Sequence, residues 1–483
     1  MRPPFVSVAV LVAALAVPAA AQDGGGAPPA PPAGPTAAKK APKDPGRAVA
    51  TRIEESLRNL FAGGDASRES VRRALDTAVA EWSVDAKEDP LRSVKWWRTA
   101  LAAALPSNTK KSGIFEEKVP HLEGREARLW VSLPKSYGPK ATSPLVLCVL
   151  DPGDDPKRVL PAVYGDLLKE WIVIAVIADA KASGLDIAKE PWLTALGLRW
   201  AVENLRVDRD RVVLDAAPGQ ANLALNLGAE WAVHFAGVVL RGPSVTTNLA
   251  PNLALCGTAV VSAENGTDAQ KKAADAIKAA APSAASVPAG KEAQAAIQKW
   301  ISELPPRRIS TGDAPAPWRA RPQGGETWGY WLWVFRPAEA KKDRLVSVEM
   351  KRDAATGVVD LVADNLAEGC LLLNDDLLDL DREITVRVNG TQVWKGKPER
   401  SLKTAIYWIE QTGERTLFAP AEVRFTVPAD ARAPKKAAGG PPPAAPAAGG
   451  AESPPAAPPA PPPEAPKGGD APPKPPEAPK EGG

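Results

Sequence analysis

The side chains best suited to chemistry are few: two histidines and three cysteines in 483 residues. His121 and His234 exclude a histidine-rich metal site and leave little for general-base catalysis, which relies most often on imidazole. Both read as surface or packing residues. Cys148, Cys256 and Cys370 each fall in or beside an apolar run and read as buried thiols. Spacing alone leaves a Cys148–Cys256 bridge open. Asn374, Asp375, Asp376, Asp379 and Asp381 gather oxygen ligands of the kind Ca²⁺ prefers, without the spacing of an EF-hand. Asp375, Asp379 and Asp381 are the candidate ligands. The alternative is a turn held by Asx hydrogen bonds. Trp328, Trp331 and Trp333 lie in what reads as one short strand, where they cannot all face one core. That leaves two readings, an exposed aromatic sugar-binding strip or packing at a domain interface. No cofactor is expected.

Composition limits the partners and divides the chain. Sixty basic against 57 acidic residues give a net charge of +3, too little for a nucleic-acid or anionic-membrane footprint. Of 52 prolines, seven lie in Gln22–Gly46 and eighteen in Arg432–Gly483. Those tracts have almost no large apolar residues to offset the entropy of ordering, so they read as disordered. Arg2, an apolar run from Phe5 to Val17 and Pro18-Ala19-Ala20-Ala21 before Gln22 describe a secretory signal peptide. The run is shorter than the roughly 20 residues that cross a bilayer. The chain is expected to be exported, periplasmic or extracellular, with no membrane span; its partner is unknown, a cell-envelope protein or polymer being one option.

Three folded segments remain. Residues 47–112 read as helices, with Val49, Ile53, Leu57 and Leu60 at helical spacing and Val71, Leu75, Val79 and Trp82 likewise. Residues 113–305 alternate strands and helices, which implies a mostly parallel sheet. Leu145–Leu150 and Trp171–Ala178 read as central strands covered on both faces. Lys157–Glu170 and Gln220–His234 are two of the helices. Residues 318–430 read as a β-rich, sandwich-like domain, interrupted by one helix near Leu402–Glu410 and carrying an Asn389-Gly390 hairpin signal. With the leader (1–21), a linker (22–46) and the tail (431–483), this completes the layout.

The middle segment resembles the α/β-hydrolase family, in its branch of exported bacterial esterases and prolyl-oligopeptidase-like hydrolases. Four landmarks arrive in family order: Arg128-Leu-Trp-Val-Ser-Leu-Pro-Lys-Ser-Tyr137, the Leu145–Leu150 strand, Val207-Asp208-Arg209-Asp210-Arg211-Val212, and Phe235–Val239. The region from Trp318 to Pro428 is similar to a β domain appended to such proteins, through Leu371–Asp381 and Val388–Gly390. The resemblance implies a Gly-x-Ser-x-Gly nucleophile turn, and the matching positions here are Ala216-Ala217-Pro218-Gly219-Gln220. Pro218 has no hydroxyl, and its φ near −65° does not suit a strained elbow. It should instead open the following helix. Where the resemblance implies His-Gly-Gly, the chain reads Asp151-Pro152-Gly153, a carboxylate that would repel an oxyanion. Where it implies the triad histidine, the chain has Lys291. Asp268 or Glu264 fills the acid position, and Ser244 and Ser262 lie near strand ends.

The sequence therefore reads as an exported, non-catalytic α/β-hydrolase-fold protein with a binding or scaffolding role. The alternatives are a working esterase or peptidase using non-standard residues, and a surface protein acting through its β domain and proline-rich tail.

Overall fold

The computed structural model describes residues 43–433, apart from 63–67, 106–110, 121–125, 139–140, 180, 182–193, 263–264, 291, 308–316, 322–327, 342–343 and 415–416. The leader, most of the linker and nearly all of the tail lie outside the described residues, as do His121, Glu264 and Lys291.

Helices α1 (Arg47–Ala62), α2 (Arg68–Ala86) and α3 (Val94–Ala103) open the described chain. Their apolar stripes, Ile53 and Leu57, Leu75 and Trp82, Trp97 and Leu101, meet in one core. Eight strands follow: β1 (Gly113–Pro120), β2 (Glu126–Leu133), β3 (Ser143–Leu150), β4 (Ile172–Ile177), β5 (Val207–Ala216), β6 (Gly237–Arg241), β7 (Gly257–Val261) and β8 (Ala285–Val287). They form one sheet in the order β1-β2-β4-β3-β5-β6-β7-β8. β1 and β2 run antiparallel, and every pairing from β4 to β8 is parallel. Helices α4 (Pro156–Tyr164), α5 (Ala195–Asn204), α6 (Ala221–Glu230) and α7 (Asp268–Ala280) connect parallel strands, and α8 (Ala293–Glu303) follows the last of them.

The continuous apolar run of β3 is shared between two faces because successive side chains alternate. Leu145, Leu147 and Val149 enter one core, with α5 and α6. Val146, Cys148 and Leu150 enter the other, with α4 and α8. The expected helix Lys157–Glu170 is shorter: α4 stops at Tyr164, where Gly165 takes a φ of +42°, and a 3₁₀ turn completes the segment. β1 was not legible because Glu116, Glu117 and Lys118 interrupt its apolar residues. It is a charged edge strand, of the kind that discourages pairing with another chain.

The C-terminal region contains β9 (Trp318–Ala320), β10 (Trp328–Gly329), β11 (Leu332–Pro337), β12 (Val346–Asp353), β13 (Val358–Asp364), β14 (Leu366–Leu373), β15 (Ile384–Val388), β16 (Thr391–Gly396), α9 (Leu402–Thr412) and β17 (Ala421–Thr426). A four-stranded sheet, β10-β11-β14-β17, and a five-stranded one, β16-β15-β13-β12-β9, contribute to one continuous core. That core extends to the α5–α6 side of the large sheet. α9 does not merely interrupt this region. Leu402, Ala405, Ile406 and Ile409 complete the core of α1–α3, and Phe418 stacks on Trp97 at 5.1 Å.

Of the two readings for Trp328, Trp331 and Trp333, the structure shows packing and no exposed strip. Tyr330, at a φ of +56°, breaks that segment into the hairpin β10–β11. Trp328 and Trp331 are buried and Trp333 is half-buried against Trp408. All three cysteines are free and buried, so no Cys148–Cys256 bridge forms.

Candidate functional site

In an open α/β sheet the ligand crevice lies beyond the carboxyl ends of the strands. Here the loops after β3, β5, β6, β7 and β8 meet at that edge. β5 ends at Ala216, and Ala217 at φ −57° and ψ 156° leads into a 3₁₀ turn begun by Pro218. α6 starts three residues later. No residue from Ala216 to Gln220 has a positive φ, so the turn is relaxed. A proline at the start of such a turn loses nothing, since the first amides of a helix have no partner within it.

The next amide is not free. The Gly219 N–H donates to Asp151 Oδ2 at 3.2 Å, and Gln220 Nε2 donates to Asp151 Oδ1 at 3.0 Å. The carboxylate lies so close that a Cβ on Gly219 would fall 2.3 Å from Asp151 Oδ1. At the head of the loop after β3, the Asp151 N–H donates to Asp154 Oδ2 at 3.0 Å. Gly153, at φ +86°, lets that loop fold back before Asp155 caps α4. Two amides bordering the crevice are therefore closed by carboxylates of the chain itself.

Beneath the turn, the sheet holds an ion pair. Asp215 is fully buried at the end of β5, and Arg241 grips it in bidentate fashion, Nε to Oδ1 at 2.9 Å and Nη2 to Oδ2 at 2.7 Å. The Tyr164 hydroxyl donates to Oδ2 at 3.0 Å, and the Ala216 N–H to Oδ1 at 2.8 Å. Arg241 Nη1 continues to Gln294 Oε1 at 3.1 Å. Every lone-pair direction of the carboxylate is engaged, which is the condition under which a buried charge is tolerated. Burial first, and then the Asp215 charge, push the neighbouring Cys148 thiol far above its ordinary range. It is not a nucleophile at neutral pH. Burial likewise raises Tyr164. Sequence reasoning passed over this network. Its one signal was a charged residue ending an otherwise apolar strand, since an interior charge requires a partner.

Asp268 is exposed in the first turn of α7, behind the capping box of Thr267 and Gln270. Ser244 is exposed and exchanges two hydrogen bonds with Asn222, at 3.0 and 2.8 Å. Ser262 is exposed beyond β7. His234 is buried before the start of β6, at the opposite edge of the sheet, edge-on to Trp328 at 5.3 Å.

Of the two readings of the Asn374–Asp381 cluster, the Asx turn is the one whose hydrogen bonds are present. Arg400 takes Asp375 through Nε, at 2.8 Å, and Nη2, and takes Asp381 through Nη1 at 2.8 Å. Arg92 lies 3.6 Å from Asp381. Asp379 accepts the Asp381 N–H and Asn374 accepts those of Asp376 and Leu377, an Asx-turn arrangement. Guanidinium groups occupy the place proposed for the cation. Among the described residues no group of three or more histidine, cysteine or acidic side chains is placed to hold a metal.

The strand order, the antiparallel start and the strand–turn–helix unit after β5 settle the architecture. The chain has an α/β-hydrolase fold. A thermostable esterase is similar to it over 40% of this chain and 60% of its own, at 15% identity and a TM-score of 0.31. A ferulic acid esterase matches over 40% of this chain and 99% of its own, at 12% identity and a TM-score of 0.33. Porphyromonas gingivalis dipeptidyl peptidase 4 matches over 41% of this chain and 36% of its own, at 11% identity and a TM-score of 0.31. No protein-family model and no curated sequence matches the chain. In this fold the turn after β5 begins at Pro218, and the amide that follows it donates to Asp151.

Proposed function

We propose that the chain is an exported, non-catalytic α/β-hydrolase-fold protein that works by binding or scaffolding. One observation carries the reading: the amide after Pro218, which in hydrolases of this fold helps to bind the oxyanion, donates to the Asp151 carboxylate. An oxyanion entering there would displace an anion already held by the chain, and no hydroxyl or thiol stands at Pro218 to generate it. Full satisfaction of Asp215 by Arg241, Tyr164 and Ala216 supports the same conclusion, because a carboxylate so held is structural. Export is supported by the basic start, the Phe5–Val17 run and the Ala-x-Ala end; the mature chain should begin at Gln22.

The test is fluorophosphonate labelling of the purified full chain, with a Pro218→Ala variant beside it. Absence of label on both is expected. A label mapped to any serine, lost on mutating that serine, would establish a relocated nucleophile and an active hydrolase.

A further inference from the structure

Asparagine followed by glycine occurs twice in the chain, at Asn265-Gly266 and Asn389-Gly390, and threonine follows both. This pair is open to attack from within, because glycine has no side chain to obstruct the approach of its own nitrogen. The glycine nitrogen adds to Cγ of the asparagine amide. An N–Cγ bond forms, the Cγ–Nδ2 bond breaks, and ammonia leaves with the proton of the glycine N–H. Water then opens the cyclic imide at either carbonyl, giving aspartate or isoaspartate. Water is the only co-reactant. The two sites share the same local sequence, so the fold decides between them.

Asn389 is locked. It is the first residue of the two-residue turn between β15 and β16, at φ +52°, with Gly390 at φ +79°. Its Oδ1 accepts the Ala363 N–H at 3.0 Å, and its Nδ2 donates to the Ala363 and Ala431 carbonyls, both at 2.7 Å. Its own N–H donates to the Leu361 carbonyl at 2.8 Å. Turning Cγ toward the Gly390 nitrogen breaks the three side-chain bonds, each of which opposes the attack.

Asn265 has no such restraint. It is exposed in the loop after β7, two residues ahead of Thr267, the cap of α7. Among the described residues, neither its side-chain amide nor the Gly266 N–H has a hydrogen-bond partner.

We propose that Asn265 is a hydrolytic modification site of the native chain, converting to aspartate and isoaspartate, and that the fold protects Asn389. The product places a carboxylate just ahead of α7, near Asp268, and lowers the net charge of +3 by one. This conversion does not depend on whether the carboxyl edge of the sheet is catalytic.

The experiment is incubation of the full chain at mildly alkaline pH in heavy-oxygen water, followed by peptide mapping and isoaspartate methyltransferase labelling. Heavy oxygen and isoaspartate should appear at position 265, with position 389 slower by at least about tenfold. In denaturant, where only local sequence acts, the two rates should converge. Asn265→Ser should remove the acidic charge variant seen on ion exchange. Three results would overturn the proposal: no conversion at position 265 in the native chain, equal native rates at the two positions, or a difference that persists in denaturant.

Discussion

Substituting Glu414 with glutamine should be among the most damaging conservative changes in the chain. Its carboxylate is fully buried between Arg209 and Arg307, whose side chains are 3% and 5% exposed. Arg307 is also 3.6 Å from Asp210, and Asp210 is paired with Arg98 of α3. The network thus ties the helical segment, the large sheet and the C-terminal region together at one point. Glu414→Gln leaves two buried guanidinium groups facing one another without their shared counter-ion. Breaking a buried pair in this way costs about 3–5 kcal/mol. With an unfolding entropy near 2.1 cal/mol/K per residue over roughly 390 residues, the melting temperature should fall by about 5 °C. Scanning calorimetry and urea unfolding read both quantities. The pH dependence supplies a second check. Burial by itself would raise the Glu414 carboxyl, but Arg209 and Arg307 outweigh it and hold the group well below the ordinary range. Above about pH 4.3, the unfolded value, it is ionised in both states and its stabilisation is complete. Below that, the unfolded chain takes up a proton that the folded chain refuses, and the advantage of wild type over Glu414→Gln should shrink by about 1.4 kcal/mol per pH unit until the folded carboxyl titrates. A loss under about 1 kcal/mol at pH 7, or parallel pH profiles for the two proteins, would refute the reasoning.

Three further outcomes are expected. Pro218→Ser alone should give no ester hydrolysis above the wild-type background, because the Gly219 amide stays on Asp151; turnover would reveal a base within reach of position 218. Ellman's reagent should find none of the three thiols in the native chain and all three in denaturant, since Cys148, Cys256 and Cys370 are buried; a fast-reacting native thiol would contradict their placement. Calcium or a chelator should leave the melting temperature unchanged, while Arg400→Gln, which removes the guanidinium that Asp375 and Asp381 share, should destabilise by about 2–4 kcal/mol; a calcium-dependent rise in wild type would restore the cation reading.

Much of the fold was legible because its strands follow simple periodicity. Ile384–Val388 alternates between buried and less buried positions, and the Leu145–Leu150 run fills both faces of the sheet, as central strands must. What failed were features fixed by distant partners. Trp328–Trp333 looks like one strand until the turn at Tyr330 folds it back on itself. α9 looks like an insertion in a β domain until α1–α3 are laid on it. At the candidate site, Pro218 and Asp151 could each be read as unfit for acyl transfer, yet nothing in the sequence said that the Asp151 carboxylate would accept the Gly219 amide. Asp215 and Arg241 stand 26 residues apart and meet because β5 and β6 are neighbours in the sheet. Pairings of this kind depend on register and crossover, and short-range patterns do not encode them.

The most direct test of the closed crevice is the pre-steady-state phase of p-nitrophenyl acetate hydrolysis by the full chain. An acyl-enzyme accumulates as a burst of p-nitrophenol equal to the concentration of active sites. The structure predicts no burst and a steady rate no higher than that of buffer. A burst approaching one equivalent per chain would mean that a nucleophile and an oxyanion site are in place, and that Asp151 does not keep the crevice closed.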